Sequence, residues 1–194
     1  MQVIENLLSK HYENDIENTL NDINFPWYFY DEISKGDYNN PAVTESFGLV
    51  HTIYDSYNGV NSNYYPFFKS ILYFMEDKFN IEFNRILRIR IRKTTPIIGH
   101  NLNKYNRPHV DLPEASPYKT LVYYVNDSDG DTVLFNEFYT LGESTEITKE
   151  ISEYKRNTPK KGSAILFDGH RIHAGNNPVN YKQRIVINFD FLEK

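Results

Sequence analysis

The residues best suited to chemistry stand in three places along the chain. The first is Arg107-Pro108-His109-Val110-Asp111. In an extended segment residues i and i+2 project the same way, so the His109 imidazole and the Asp111 carboxylate would aim at one point. Such a pair can hold a divalent metal, although a lone His-x-Asp also arises by accident of composition and fits a surface strand end. The second place is 159–175, PKKGSAILFDGHRIHAG, where an apolar run leads through a Gly turn to His170 and His173. His173 precedes the small Ala174 and Gly175, which leave room around a metal, and is the favoured third ligand; His170, beside Asp168 and Gly169, fits a solvated turn. The third place is Arg184, eleven residues after His173, opening the run RIVIN. Facing inward among Ile and Val it would need an anionic partner, and a ligand carboxylate held by both arms of the guanidinium would serve. An arginine at a strand end in water is the plainer alternative. Two His and one carboxylate leave about three positions open on an octahedral metal, which is the pattern of non-haem Fe(II) chemistry with O2.

Distant residues converge only if the fold brings strand ends together, and the second half of the chain reads as strands. Residues 86–92, ILRIRIR, alternate strictly, with Leu87, Ile89 and Ile91 on one face and Arg88, Arg90 and Arg92 on the other. Residues 119–126 (KTLVYYVN), 132–135 (TVLF), 163–167 (SAILF) and 184–191 (RIVINFDF) follow, with a turn at Asp127-Ser-Asp-Gly130. Short strands spaced by turns point to a sandwich or barrel. The first third reads as mixed and mostly helical. Val3, Ile4, Leu7, Leu8 and Tyr12 fall at helix spacing in 2–20, and 66–80 places Phe67, Ile71, Phe74, Met75 and Phe79 on one stripe behind Pro66. The aromatic run 25–30 is more strand-like, and 37–41 (DYNNP) and 58–63 (NGVNSN) are loop signals. The expected architecture is mainly β: one domain, 1–194, with a helical layer over 1–84 that pads a jelly-roll core over 85–194.

Composition narrows the chemistry further. The chain has 194 residues, 40% hydrophobic and 24% charged, as soluble globular domains do. With no cysteine, disulfides, thiolate metal sites and Cys nucleophiles are excluded, so any metal falls to six His and 26 carboxylates. A net charge of −5 without a Lys/Arg run gives no footprint for nucleic acid. No apolar run approaches a membrane span, and residues 1–10 lack the pattern of a signal peptide. A cytoplasmic protein without nucleic-acid or membrane partners is expected.

The motifs together resemble the Fe(II)- and 2-oxoglutarate-dependent dioxygenases, in particular the prolyl 4-hydroxylase-like branch. The resemblance covers roughly 84–191 and rests on HVD at 109–111, TLVYYVN at 120–126 followed by DGDT at 129–132, ILFDGHRIHAG at 165–175, and Arg184 eleven residues beyond the distal His. FPWYF at 25–29 is similar to the N-terminal part of small phage and marine-bacterial members, which makes a phage-encoded chain an expectation. The resemblance implies a cupin-like double-stranded β-helix with Fe(II) held by His109, Asp111 and His173. Arg184 then pairs with the distal carboxylate of 2-oxoglutarate, where prolyl hydroxylases often have Lys, and Tyr124 helps to hold this cosubstrate. Thr120, four residues earlier on the same strand face, is a further candidate for the cosubstrate site. The implied reaction consumes O2 and 2-oxoglutarate, releases succinate and CO2, and hydroxylates a small-molecule or peptide prolyl substrate, with ascorbate in support. Asp111 stands where related halogenases lack the carboxylate, which favours hydroxylation.

Two other classes fit the residues before any resemblance is used. One is a cupin-like metalloenzyme that does not use 2-oxoglutarate; the other is a non-catalytic β-sandwich binding module. Arg88, Arg90 and Arg92 could be a solvated face of an outer strand, the common fate of charged side chains, or could line the site and favour an anionic substrate. Residues 93–108, with Tyr105, Asn106 and Arg107, and 136–158, as an insertion or a hairpin, are the segments that would shape the substrate mouth.

Overall fold

The structure is a computed structural model that describes residues 1–31, 43–44, 46–143, 147 and 149–194. The loop signal at 37–41 and part of 136–158 lie outside the described residues. Among the described residues three helices, α1 (Lys10–Asn21), α2 (Tyr65–Lys69) and α3 (Ile71–Phe79), accompany thirteen strands. The first seven strands are β1 (Gln2–Ile4), β2 (Tyr28–Tyr30), β3 (Val43–Thr44), β4 (Gly48–Asp55), β5 (Gly59–Val60), β6 (Phe83–Thr94) and β7 (Tyr105–Asn106). The other six are β8 (Lys119–Tyr124), β9 (Thr132–Phe138), β10 (Glu153–Asn157), β11 (Ala164–Asp168), β12 (Arg171–Gly175) and β13 (Arg184–Glu193).

A large antiparallel sheet runs β1-β11-β8-β13-β6-β4-β2, with β5 attached to β4, and a small sheet runs β10-β9-β12. Leu134 of the small sheet meets Val122, Tyr124, Ile165, Phe167 and Val186 of the large one, which closes a jelly roll between them. The helices pack on the other face of the large sheet, where Phe68, Ile71 and Met75 join Ile89, Leu121 and Phe189 in one buried cluster. Period-two alternation produces this division: each central strand gives one set of side chains to the dry layer and the next set to the space between the sheets.

The N-terminal segment is less helical than its periodicity suggests. Residues 2–4 form β1, which pairs with β11 at the sheet edge, and the helix begins only at Lys10 behind the Ser9 cap. Asn6, at φ 54°, separates the two, because a left-handed residue cannot continue a helix. Strands β2 and β4, the second of which the sequence pattern does not announce, extend the large sheet from this same segment. The helix expected over 66–80 is two, α2 and α3, joined at Ser70, whose hydroxyl donates to the Pro66 carbonyl at 2.9 Å. Phe74 of the expected stripe is exposed, and Leu72 and Phe68 are buried instead. Residues 136–158 include part of the β9–β10 hairpin. Among the described residues no helix is long and apolar enough to cross a membrane.

Candidate metal centre

Backbone pairing brings the two distant motifs together. His109 and His173 exchange both hydrogen bonds of an isolated antiparallel bridge, at 2.9 and 3.0 Å, so their side chains emerge on the same side. The rings lie 4.7 Å apart between centroids. One ligand atom from each of His109, Asp111 and His173 lies within 4.8 Å of the others, and Asp111 Oδ2 is 3.3 Å from His173 Nε2. His170 is elsewhere, with Nε2 2.8 Å from the Glu114 carbonyl.

The two imidazoles are held in the same way. His109 Nδ1 lies 2.9 Å from the Arg107 carbonyl and His173 Nδ1 lies 3.1 Å from the Arg171 carbonyl. With Nδ1 donating there, each Nε2 turns a lone pair into the site. Both Nε2 atoms are buried without a hydrogen-bond partner among the described residues. Buried nitrogens left this way cost free energy unless something occupies them. Two His with one carboxylate are a donor set for a divalent first-row metal. Burial, and then the neighbouring His173 and Arg92, pull the His109 pKa down to about 3, which keeps this nitrogen available as a ligand.

Asp111 is fixed from behind. Its Oδ1 accepts from Arg88 Nη2 and, at 3.3 Å, from Arg92 Nη2, while Asn188 Nδ2 reaches Oδ2 at 3.3 Å. Burial works against its ionised form, but Arg88 and the other partners hold its pKa well below the usual carboxylate range. Arg88 also donates to Asp190 Oδ2 at 3.0 Å through Nε, and Thr120 donates to Asp190 Oδ1 at 2.8 Å. Thr120, a sequence candidate for the cosubstrate site, is buried and bonded to Asp190. Behind the motif, the Tyr118 hydroxyl is bonded to both Leu112 N and O, at 3.1 and 3.0 Å. Gly169 lets the Tyr118 ring sit there, since a Cβ would come within 2.1 Å of it.

Arg184 lines a cavity with Arg92, His109, Thr132, His173 and Asn188. It is buried, with Nε donating to the Gly130 carbonyl at 2.6 Å and Nη2 donating to Thr132 Oγ1 at 2.8 Å. Tyr124, fully buried, donates to the same Thr132 oxygen at 2.8 Å, so Tyr124 reaches Arg184 through Thr132. Gly130 must lack a side chain, because a Cβ there would be 2.5 Å from the Asn176 carbonyl and 2.9 Å from Arg184 Cδ. Two neutral oxygens do not balance a buried guanidinium, so this end of the cavity favours an anion.

The structure decides between the two readings of the arginine strand. β6 lies between β13 and β4 in the large sheet, and Arg88 and Arg92 point inward toward Asp111. Arg90, on the same face, reaches Thr52 Oγ1 at 3.3 Å. Tyr105, Asn106 and Arg107 are buried, Tyr105 against Phe135 at 5.2 Å and Asn106 on Asn177 Oδ1 at 2.8 Å. Sequence reasoning missed Thr132, Asn188 and Asp190. Counting in twos from Arg184 along β13 puts 188 and 190 on the cavity face, and Thr132 closes the DGDT run.

No protein-family model matches the chain, and no curated protein matches it. Solved structures do. An oxidoreductase of the 2OG-Fe(II) oxygenase family from Burkholderia pseudomallei superposes with a TM-score of 0.64 at 14% identity, over 98% of this chain and 84% of that one. A prolyl-4-hydroxylase from Pseudomonas putida gives 0.53 at 10% identity, over 100% and 92%. The viral collagen prolyl hydroxylase of Paramecium bursaria Chlorella virus-1, solved as its 2OG complex, gives 0.53 at 15% identity, over 98% and 95%. At these identities the likeness is one of fold. This chain has the double-stranded β-helix fold of the 2OG-Fe(II) oxygenases, with a His–Asp–His cluster between its two sheets.

Proposed function

We propose that this chain is an Fe(II)- and 2-oxoglutarate-dependent dioxygenase that hydroxylates an unactivated C–H bond of a peptide prolyl or small-molecule substrate, with release of succinate and CO2. One observation carries this reading: two buried, unpartnered imidazole nitrogens face a single carboxylate in a cavity whose other end holds a buried guanidinium. Ferrous iron held by His109, Asp111 and His173 would supply the redox chemistry that activates O2. The chain supplies position and charge. The carbonyls of Arg107 and Arg171 fix the two rings, and Arg88 keeps Asp111 ionised and aimed. Arg184 takes the distal carboxylate of 2-oxoglutarate, with Thr132 and Tyr124 setting the angle of its fork. Gly175 leaves space beside it, since a Cβ there would stand 3.4 Å from Arg184 Nη1. The apolar walls Val122 and Val186 narrow the cavity around the reacting groups.

The structural neighbours include prolyl hydroxylases and an epimerase, and their shared fold supports an iron- and 2-oxoglutarate-dependent reaction. Its test is oxygen-dependent release of succinate from 2-oxoglutarate by the iron-loaded protein. We expect slow release without substrate, loss of release on omitting iron, and a product 16 Da heavier when cell extract is supplied. Iron binding without any turnover of 2-oxoglutarate contradicts the proposal.

A further inference from the structure

The buried charges lining the cavity and directly behind it do not balance. Arg88, Arg92 and Arg184 stand against the carboxylates of Asp111 and Asp190. Arg88 is matched by both acids, with Asp190 Oδ2 at 2.9 Å from its Nη2 and the Asp111 backbone carbonyl at 3.1 Å from its Nη1. Arg184 is assigned above to the cosubstrate, on which this inference rests. Arg92 is left over. Its side chain is only 13% exposed, and it lines the cavity beside His109 and His173. Its one ion pair among the described residues is Nη2 to Asp111 Oδ1 at 3.3 Å, an oxygen that Arg88 already holds. Its Nε is buried without a hydrogen-bond partner among the described residues. Burial lowers the Arg92 pKa, Asp111 opposes this, and Arg88 adds to the lowering.

A ferrous ion adds two positive charges to this interior and 2-oxoglutarate removes two, so the excess of one guanidinium persists in the loaded site. Buried charges left without a partner are expensive, and a carboxylate matches the planar donors of Arg. We infer that Arg92 anchors a carboxylate carried by the substrate, so that the protein acts on carboxylate-bearing small molecules or a free peptide C-terminus. Arg92 thereby sets specificity beside the metal ligands, while Arg184 serves the cosubstrate.

The test uses protein loaded with Zn(II), which accepts the same ligands without redox chemistry. 13C-labelled acetate is titrated with and without saturating 2-oxoglutarate, and acetamide is the neutral control. With 2-oxoglutarate bound, the wild type is expected to bind acetate at one saturable site and not to bind acetamide. At saturating Zn(II), Arg92→Gln should weaken acetate at least tenfold and 2-oxoglutarate less than tenfold, and Arg92→Lys should restore part of the acetate binding. No saturable acetate site in the wild type, or one indifferent to both variants, overturns the inference. A tenfold loss of 2-oxoglutarate affinity in Arg92→Gln also overturns it, because the carboxylate would then be the cosubstrate's own. If 2-oxoglutarate fails to bind while acetate still depends on Arg92, the anion site stands and the dioxygenase reading falls.

Discussion

The two faces of the large sheet are made by the same strands and do opposite things. On β6, Ile89 and Ile91 enter the dry layer against the helices, while Arg88 and Arg92 turn the other way, toward Asp111. On β13, Ile187 and Phe189 are in the dry layer, while Arg184, Asn188 and Asp190 face the other way. The apolar face gains from every side chain it buries. The cavity face carries unpartnered nitrogens and an uneven set of charges, which cost stability. The dry face stores stability, and the cavity face gives stability up.

The largest expected effect is on the cavity face. Asp111→Ala should take succinate release to background and also strand Arg88 and Arg92, costing about 3–5 kcal/mol as broken buried pairs do; His109→Ala should abolish release with the fold retained. Denaturant unfolding of both variants checks the contrast. On the dry face, Phe189→Ala should cost about 3–5 kcal/mol by leaving a cavity, while metal affinity of the folded protein, read by Zn(II) titration, changes little. Metal itself should repair the cavity face: at a hundredfold excess over Kd it should stabilise by about 2.7 kcal/mol, seen as a rise in Tm that His173→Ala lacks. Smallest is a pH effect in the metal-free protein. Folded His109 takes up its proton only near pH 3, whereas the unfolded chain does so near 6.5. Stability is therefore present above about pH 6.5 and lost as pH falls toward 3, by about 1 kcal/mol between pH 7 and 5.5. Urea midpoints at the two pH values measure it, and His109→Ala should flatten the difference.

Much of the candidate site was readable from spacing. His109 and Asp111 share a face because they are two apart, His173 follows an apolar strand into small residues, and Arg184 opens another strand. What could not be read depends on neighbours far away in the chain. Arg88 and Arg92 look like a solvated stripe until β6 is seen between β13 and β4, and the bond between Thr120 and Asp190 needs β8 and β13 side by side. Local pattern also misled at the N-terminus, where Val3 and Ile4 satisfy helical spacing but pair with β11, a partner some 160 residues on. The helical layer was overstated for the same reason: β4 takes its place in the sheet through pairing with β6.

The central claim is that one cavity holds iron at His109, Asp111 and His173 and 2-oxoglutarate at Arg184. Anaerobic titration with Fe(II), followed by 2-oxoglutarate, tests it most directly through the visible charge-transfer band of the chelate. The account predicts a band that saturates at one equivalent of iron, disappears in His109→Ala, and needs at least tenfold more 2-oxoglutarate in Arg184→Gln. Iron binding with no band at any 2-oxoglutarate concentration, or a band indifferent to Arg184, would contradict it.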